Sequence, residues 1–176
     1  MLVLLLLMVA VLLGIFVQDM LWRKVYLLAF PILLFLFVVS SFLHRRSLAD
    51  VAFASVVNIT FLAVQFLLVS FYFFLKNKKW VKLTGSQLGW GDILFLLTIA
   101  FYFSALNFIL FYVSSLLLAL VSWLIWQRVS AKPGKNIPLA GLQALVMVGF
   151  LGWDFLERSV DLTSDAWLTI KILKLL

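Results

Sequence analysis

The chain has no cysteine among its 176 residues and a single histidine, His44. The first absence excludes disulfides, thiol nucleophiles, Cys-ligated zinc and iron–sulfur clusters. The second leaves no His-x-x-x-His or Glu-x-x-His spacing for a metal. A Ser–His–Asp relay would have to use an imidazole beside Arg45 and Arg46 in a short cationic loop, a poor place to keep a general base oriented. No metal and no cofactor is therefore expected. Charge is scarce as well: 12% of residues, where about 25% is ordinary for a soluble domain. With 66% apolar residues, a single soluble domain of this size could not hide its apolar surface, which excludes a soluble enzyme. The net charge of +7 does not point to nucleic acid, because the basic residues flank apolar runs and no basic face with stacking aromatics accompanies them.

What the chain has is long charge-free runs, at 1–18, 25–43, 51–75, 93–127 and 136–153. About 20 apolar residues span a bilayer core as a helix. The run 93–127 would make a helix of about 50 Å, too long for one span, so it is expected to fold into two. The turn is expected at Ser104–Asn107, the most polar stretch, with Tyr112–Ser115 as the alternative. The reading is an all-α integral membrane protein with six transmembrane helices. Residues 1–153 form the membrane domain, and 154–176 form a short tail, either an interfacial helix or partly disordered. Pro31 is expected as a tolerated break inside the second span. The loops after the first, third and fifth spans hold Arg23, Lys24, Lys76, Lys78, Lys79, Lys82, Arg128, Lys132 and Lys135. The other side has Arg45, Arg46 and Arg158, with Lys171 and Lys174 farther along the tail. The positive-inside rule then puts the N-terminus outside and the odd-numbered loops in the cytoplasm.

Two carboxylates fall at the cytoplasmic boundary in that topology: Asp19 closes the first helix and Asp92 opens the fourth. Ionisable groups at a membrane edge are costly to desolvate and are functional candidates by default. Two carboxylates brought together tend to share a proton. The ionised one can then take a proton from water while the protonated one hydrogen-bonds a scissile carbonyl. Around Asp92 the sequence reads Gly89-Trp90-Gly91-Asp92, where the glycines would permit positive φ and a close backbone approach.

G-x-G-D opening a span, a partner aspartate after the first helix and six spans in this length resemble the prepilin peptidases (type IV leader peptidases), membrane aspartyl proteases of the G-x-G-D class. That family's first motif, D-x-x-x-R-[RK]-[IV]-P-[ND], is matched at Asp19, Arg23, Lys24 and Val25, and departed from at Tyr26 and Leu27. Ile137-Pro138 stands where members often carry Ile-Pro before the last span. Leu94 replaces a lysine common two residues after the second aspartate. Nothing resembles the four-cysteine methyltransferase domain of bifunctional members, so N-methylation is not implied. The resemblance implies Asp19 and Asp92 as the catalytic pair, with Gly89, Gly91, Arg23 and Lys24 supporting the motifs. It implies a prokaryotic cytoplasmic-membrane endopeptidase that removes basic leaders from prepilin-like precursors. The partners implied are a precursor with an apolar helix and the surrounding lipid, serving a pilus, pseudopilus or related secretion machine.

Plain structural alternatives stand beside each residue. Asp19 and Arg23, at i and i+4, have the spacing of an interfacial ion pair. Asp92 has the chemistry of a helix cap. Asn58 and Gln65 share a helix face and are expected to hydrogen-bond between helices. Asp154 and Glu157 read as solvated boundary charges, and the lysines of 76–82 as a topology signal that attracts anionic lipid. The alternative function is a non-enzymatic six-span protein: an inactive peptidase relative, an assembly subunit or a small transporter.

Overall fold

The computed structural model describes residues 1–78, 89–129, 138–157 and 160–173. Among these residues the chain is all-helical: α1 (Leu2–Trp22), α2 (Ala29–Leu43), α3 (Leu48–Asn77), α4 (Trp90–Ala100), α5 (Ala105–Val129), α6 (Leu139–Leu156) and α7 (Ala166–Leu173). Four of them, α1, α3, α5 and α6, are long and apolar enough to cross a membrane. Phe35, Phe53 and Leu67 each leave at least 67% of their surface outside the bundle, as lipid-facing side chains do. The protein is a helical membrane protein. Lys79, Lys82, Lys132, Lys135, Ile137, Arg158 and Lys174, which entered the topology and motif readings, lie outside the described residues.

α1 and α6 make the most extensive helix pair; α2 packs on α1 and α4, and α5 on α6 and α3. The core between them is aromatic. Phe103 stacks on Phe111 at 5.2 Å, and both meet the edge of Phe150.

The boundaries differ from the charge-free runs in instructive ways. α2 begins at Ala29, so Pro31 stands in its first turn, where a missing N–H removes no helical bond. It is a start signal and not a break within the span. α3 begins at Leu48 because Ser47 and Asp50 form a capping box: Ser47 Oγ accepts from the Asp50 N–H, and Asp50 Oδ2 accepts from the Ser47 N–H.

The run 93–127 divides at 101–104, a few residues ahead of the expected Ser104–Asn107, with α4 ending at Ala100 and α5 starting at Ala105. Carbonyls left over at a helix break need donors when water is scarce. Asn58 of α3 supplies two, its Nδ2 donating to the Ala100 and Phe103 carbonyls at 2.9 and 3.0 Å. Arg46 donates to the Tyr102 carbonyl at 2.9 Å. Burial holds this guanidinium below its usual range, against the restoring charges of Asp50, Asp161 and Asp165.

α6 runs on across the 153/154 boundary to Leu156, and the segment behind it folds back onto the bundle. Leu162 is fully buried. The Asn107 amide reaches the carbonyls of Asp161, Leu162 and Ser164, at 3.2, 3.2 and 2.9 Å. α7 then lays Trp167 edge-on against Trp153, with the Lys171 ammonium over both rings.

Candidate functional site

α6 starts badly by its own means. Pro138 stands at its N-cap, where its ring offers no side-chain acceptor, and the first helical bond runs from Leu142 to the Pro138 carbonyl. The amides of Ala140 and Gly141 therefore point out of the helix start without an internal partner. Two other helices supply the acceptors. The Ala140 N–H donates to Asp92 Oδ1 at 2.7 Å, and the Gly141 N–H donates to Asp19 Oδ2 at 2.7 Å. Asp19 and Asp92, each assigned to the site from sequence, thus converge on neighbouring amides of a third helix. The Asp19 charge bears on the Asp92 carboxylate. The positive end of the α6 dipole lies between them, an environment that favours negative charge.

Asp19 sits in the last turn of α1 and is 8% exposed. Arg23 closes that helix in the left-handed conformation, φ 55°, its N–H donating to the Asp19 carbonyl at 3.1 Å. Its guanidinium charge also bears on the Asp19 carboxylate. Lys24 is exposed, on the rim of a cavity of about 580 Å³ that Trp22, Val25, Tyr26 and Leu27 also line. This connection is tied back to α1 by the Tyr26 N–H, which donates to Gln18 Oε1 at 3.0 Å.

Asp92 lies three residues beyond the N-cap Gly89 and accepts the Gly89 N–H on Oδ2 at 3.0 Å. It caps two helix starts at once, its own and that of α6. The glycines of G-x-G-D do not take the expected positive φ. Gly89 is extended at φ −72°, and what its missing side chain leaves is room for Asp92 Oδ2, which an added Cβ would meet at 3.1 Å. At Gly91 an added Cβ would make only ordinary contact, 3.9 Å from Phe30 and 4.0 Å from Val25. Leu94 packs against the core.

The close approach belongs to another glycine. A Cβ on Gly141 would sit 3.0 Å from Asp19 Cβ, 3.1 Å from Asp19 Oδ2 and 3.3 Å from the Phe16 carbonyl. Gly141 and the Ala140 amide were not singled out in the sequence; the signal was there in Pro138-Leu139-Ala140-Gly141, a helix start with no capping side chain and a small residue three positions in.

At the opposite end of the bundle Asp154 is half-buried, Oδ1 accepting the Leu162 N–H at 3.0 Å, where a solvated boundary charge was expected. Asn58 makes its interhelical bonds; Gln65 makes none among the described residues.

No family model matches this chain, and no curated protein or solved structure is detectably similar to it.

Proposed function

We propose that the protein is an aspartic endopeptidase of the prokaryotic cytoplasmic membrane, cleaving leader peptides from prepilin-like precursors at the cytoplasmic face. In this reading all six apolar helices, the shorter α2 and α4 included, form the membrane domain, with the N-terminus outside. The observation that carries it is the convergence of the Asp19 and Asp92 carboxylates on the adjacent Ala140 and Gly141 amides. The G-x-G-D motif and the Asp19–Val25 match to the prepilin peptidases name the substrate class. One aspartate, ionised, draws a proton from water, which attacks the scissile carbonyl; the other, protonated, hydrogen-bonds the carbonyl oxygen. The precursor's apolar helix lies in the bilayer beside the enzyme.

One observation favours a non-enzymatic reading. Both Asp92 oxygens accept backbone N–H groups, and Asp19 caps the same helix start, so the pair satisfies α6 structurally whatever else it does. Substitution by asparagine separates the two at Asp19, where one carboxylate oxygen accepts an N–H and an amide oxygen can still do so without moving a proton; at Asp92 it keeps one of the two N–H partners, so thermal unfolding of that variant is measured beside its activity. Co-expression with pilin-like precursors, with leader removal followed by mass spectrometry, is the test. Processing by the wild type and by neither Asp19→Asn nor Asp92→Asn, with both variants folded, supports the protease. Processing that both variants retain rejects it.

A further inference from the structure

Cations outnumber carboxylates at the aspartate end of the bundle. Those among the described residues are Arg23 and Lys24 behind α1, Lys76 and Lys78 at the end of α3, and Arg128 at the end of α5. The only carboxylates placed there are Asp19 and Asp92; Asp50, Asp154, Glu157, Asp161 and Asp165 stand at the opposite end. Residues 79–88 and 130–137, which join α3 to α4 and α5 to α6, contain no Asp or Glu. Asp92 accepts two backbone N–H groups, and Asp19 accepts one and is answered by Arg23. Lys24 has neither an ion pair nor a hydrogen bond among the described residues.

The Lys24 side chain lines a cavity of about 580 Å³ together with Trp22, Val25, Tyr26 and Leu27. That volume is within the range of small-ligand sites. Apart from the ammonium, these walls are aromatic and aliphatic. The backbone that carries them is pinned. The Arg23 N–H donates to the Asp19 carbonyl, the Tyr26 N–H to Gln18 Oε1, and the Ala29 N–H to the Tyr26 carbonyl, at 3.1, 3.0 and 3.0 Å.

Trp22 is the last residue of α1, a helix long and apolar enough to cross a membrane. Aromatic side chains at such an end sit at the level of the lipid headgroups. Leu21 and Leu28, on either side of the connection, are 67% and 74% exposed, so apolar surface continues past the cavity. A small free anion would leave the apolar walls unused. An acidic peptide would bring backbone groups, for which these side chains offer only the Lys24 ammonium, the Trp22 N–H and the Tyr26 hydroxyl. A zwitterionic lipid would bring its own ammonium, and the lining holds no carboxylate to receive it.

We infer that this cavity binds an anionic phospholipid, its phosphate on Lys24 and an acyl chain against Trp22, Val25 and Leu27. The ammonium supplies a charge-assisted hydrogen bond, and the walls remove the chain from water. The site stands apart from the peptidase reading, and its test reads binding alone.

The test is native mass spectrometry of the protein in maltoside micelles, titrated with phosphatidylglycerol or phosphatidylcholine of the same acyl chains. The first phosphatidylglycerol is expected to bind about fivefold more tightly than the first phosphatidylcholine, the scale of one lysine at a membrane surface. Lys24→Gln removes that preference, as does Leu27→Glu, which sets a carboxylate beside the ammonium. Both positions are exposed, and both variants are expected to unfold at the wild-type temperature. The double variant Lys76→Gln, Lys78→Gln keeps the preference. Equal affinity for the two lipids overturns the proposal, and so does a preference that survives in Lys24→Gln. A preference lost equally in the double variant would mean diffuse surface charge instead of a site. Displacement of the lipid by inorganic phosphate or by an acidic peptide at matching concentration would assign the cavity to that ligand and overturn the proposal equally.

Discussion

A methyl group at residue 141 has no room. It would press on Asp19 from 3.0 Å and on the Phe16 carbonyl from 3.3 Å, and backbone cannot swing aside as a side chain can. Gly141→Ala is therefore expected to push α1 from α6 at the point where Asp19 is held, costing about 1–3 kcal/mol by thermal unfolding in detergent. For a pair that reacts as proposed, a displacement of that kind is worth about 100-fold in rate, so the proposed precursor processing should fall by at least that factor. Gly149 and Gly152, on the same helix, have nothing within 4 Å of an added Cβ. Alanine there is expected to leave processing intact and to raise stability by up to about 1 kcal/mol, through the smaller backbone entropy lost on folding. The aspartates were legible in the sequence because an ionisable group at the edge of an apolar run is conspicuous. Gly141 was not, because its constraint comes from α1, far away in the chain.

Where a helix stops is set by what receives its last carbonyls. The turn between α4 and α5 was legible to within a few residues, as the most polar stretch of a run too long for one span. Its partners were not, since Asn58 and Arg46 are recruited from other elements. Asn58→Leu preserves bulk and apolar character but removes both hydrogen bonds to the Ala100 and Phe103 carbonyls. It should cost about 1–2 kcal/mol, the scale of a buried interhelical polar contact in a membrane protein, with Ser55→Ala on the same helix as a milder control. The start of α2 shows the reverse. Pro31 was conspicuous, but composition alone did not distinguish a first-turn proline from a mid-span one. That distinction depends on residues 25–28, which leave the helix as the chain turns back over the opening of α4.

The two ends of the bundle differ in construction. One carries the aspartate pair; the other is closed by the segment behind α6, which Asn107 holds through three carbonyls. Asn107→Ala should free that segment, seen as faster amide exchange at residues 160–165 and a loss of about 1–3 kcal/mol, with the aspartate end unchanged. Because the chain has no cysteine, single ones can be introduced to read its sidedness. Ser47→Cys and Lys78→Cys lie at opposite ends of α3. In intact cells an impermeant maleimide is expected to label the first and not the second; the opposite pattern would reverse the proposed orientation. The all-helical, apolar character of the chain was legible from charge-free runs. The return of the tail was not, because Val160, Leu162 and Thr163 are buried in a stretch read as part of an interfacial helix or a partly disordered tail.

The shared anchorage of the aspartates on α6 also bears on when the pair comes to exist. Translation runs from the N-terminus, so Asp19 and Asp92 are made and inserted before the helix start that unites them. A nascent chain halted between Asp92 and Pro138 holds both carboxylates and no α6 amides to join them. Assembly of the pair is in this way reserved for the finished bundle, and a ribosome-bound fragment carries its ingredients without the arrangement.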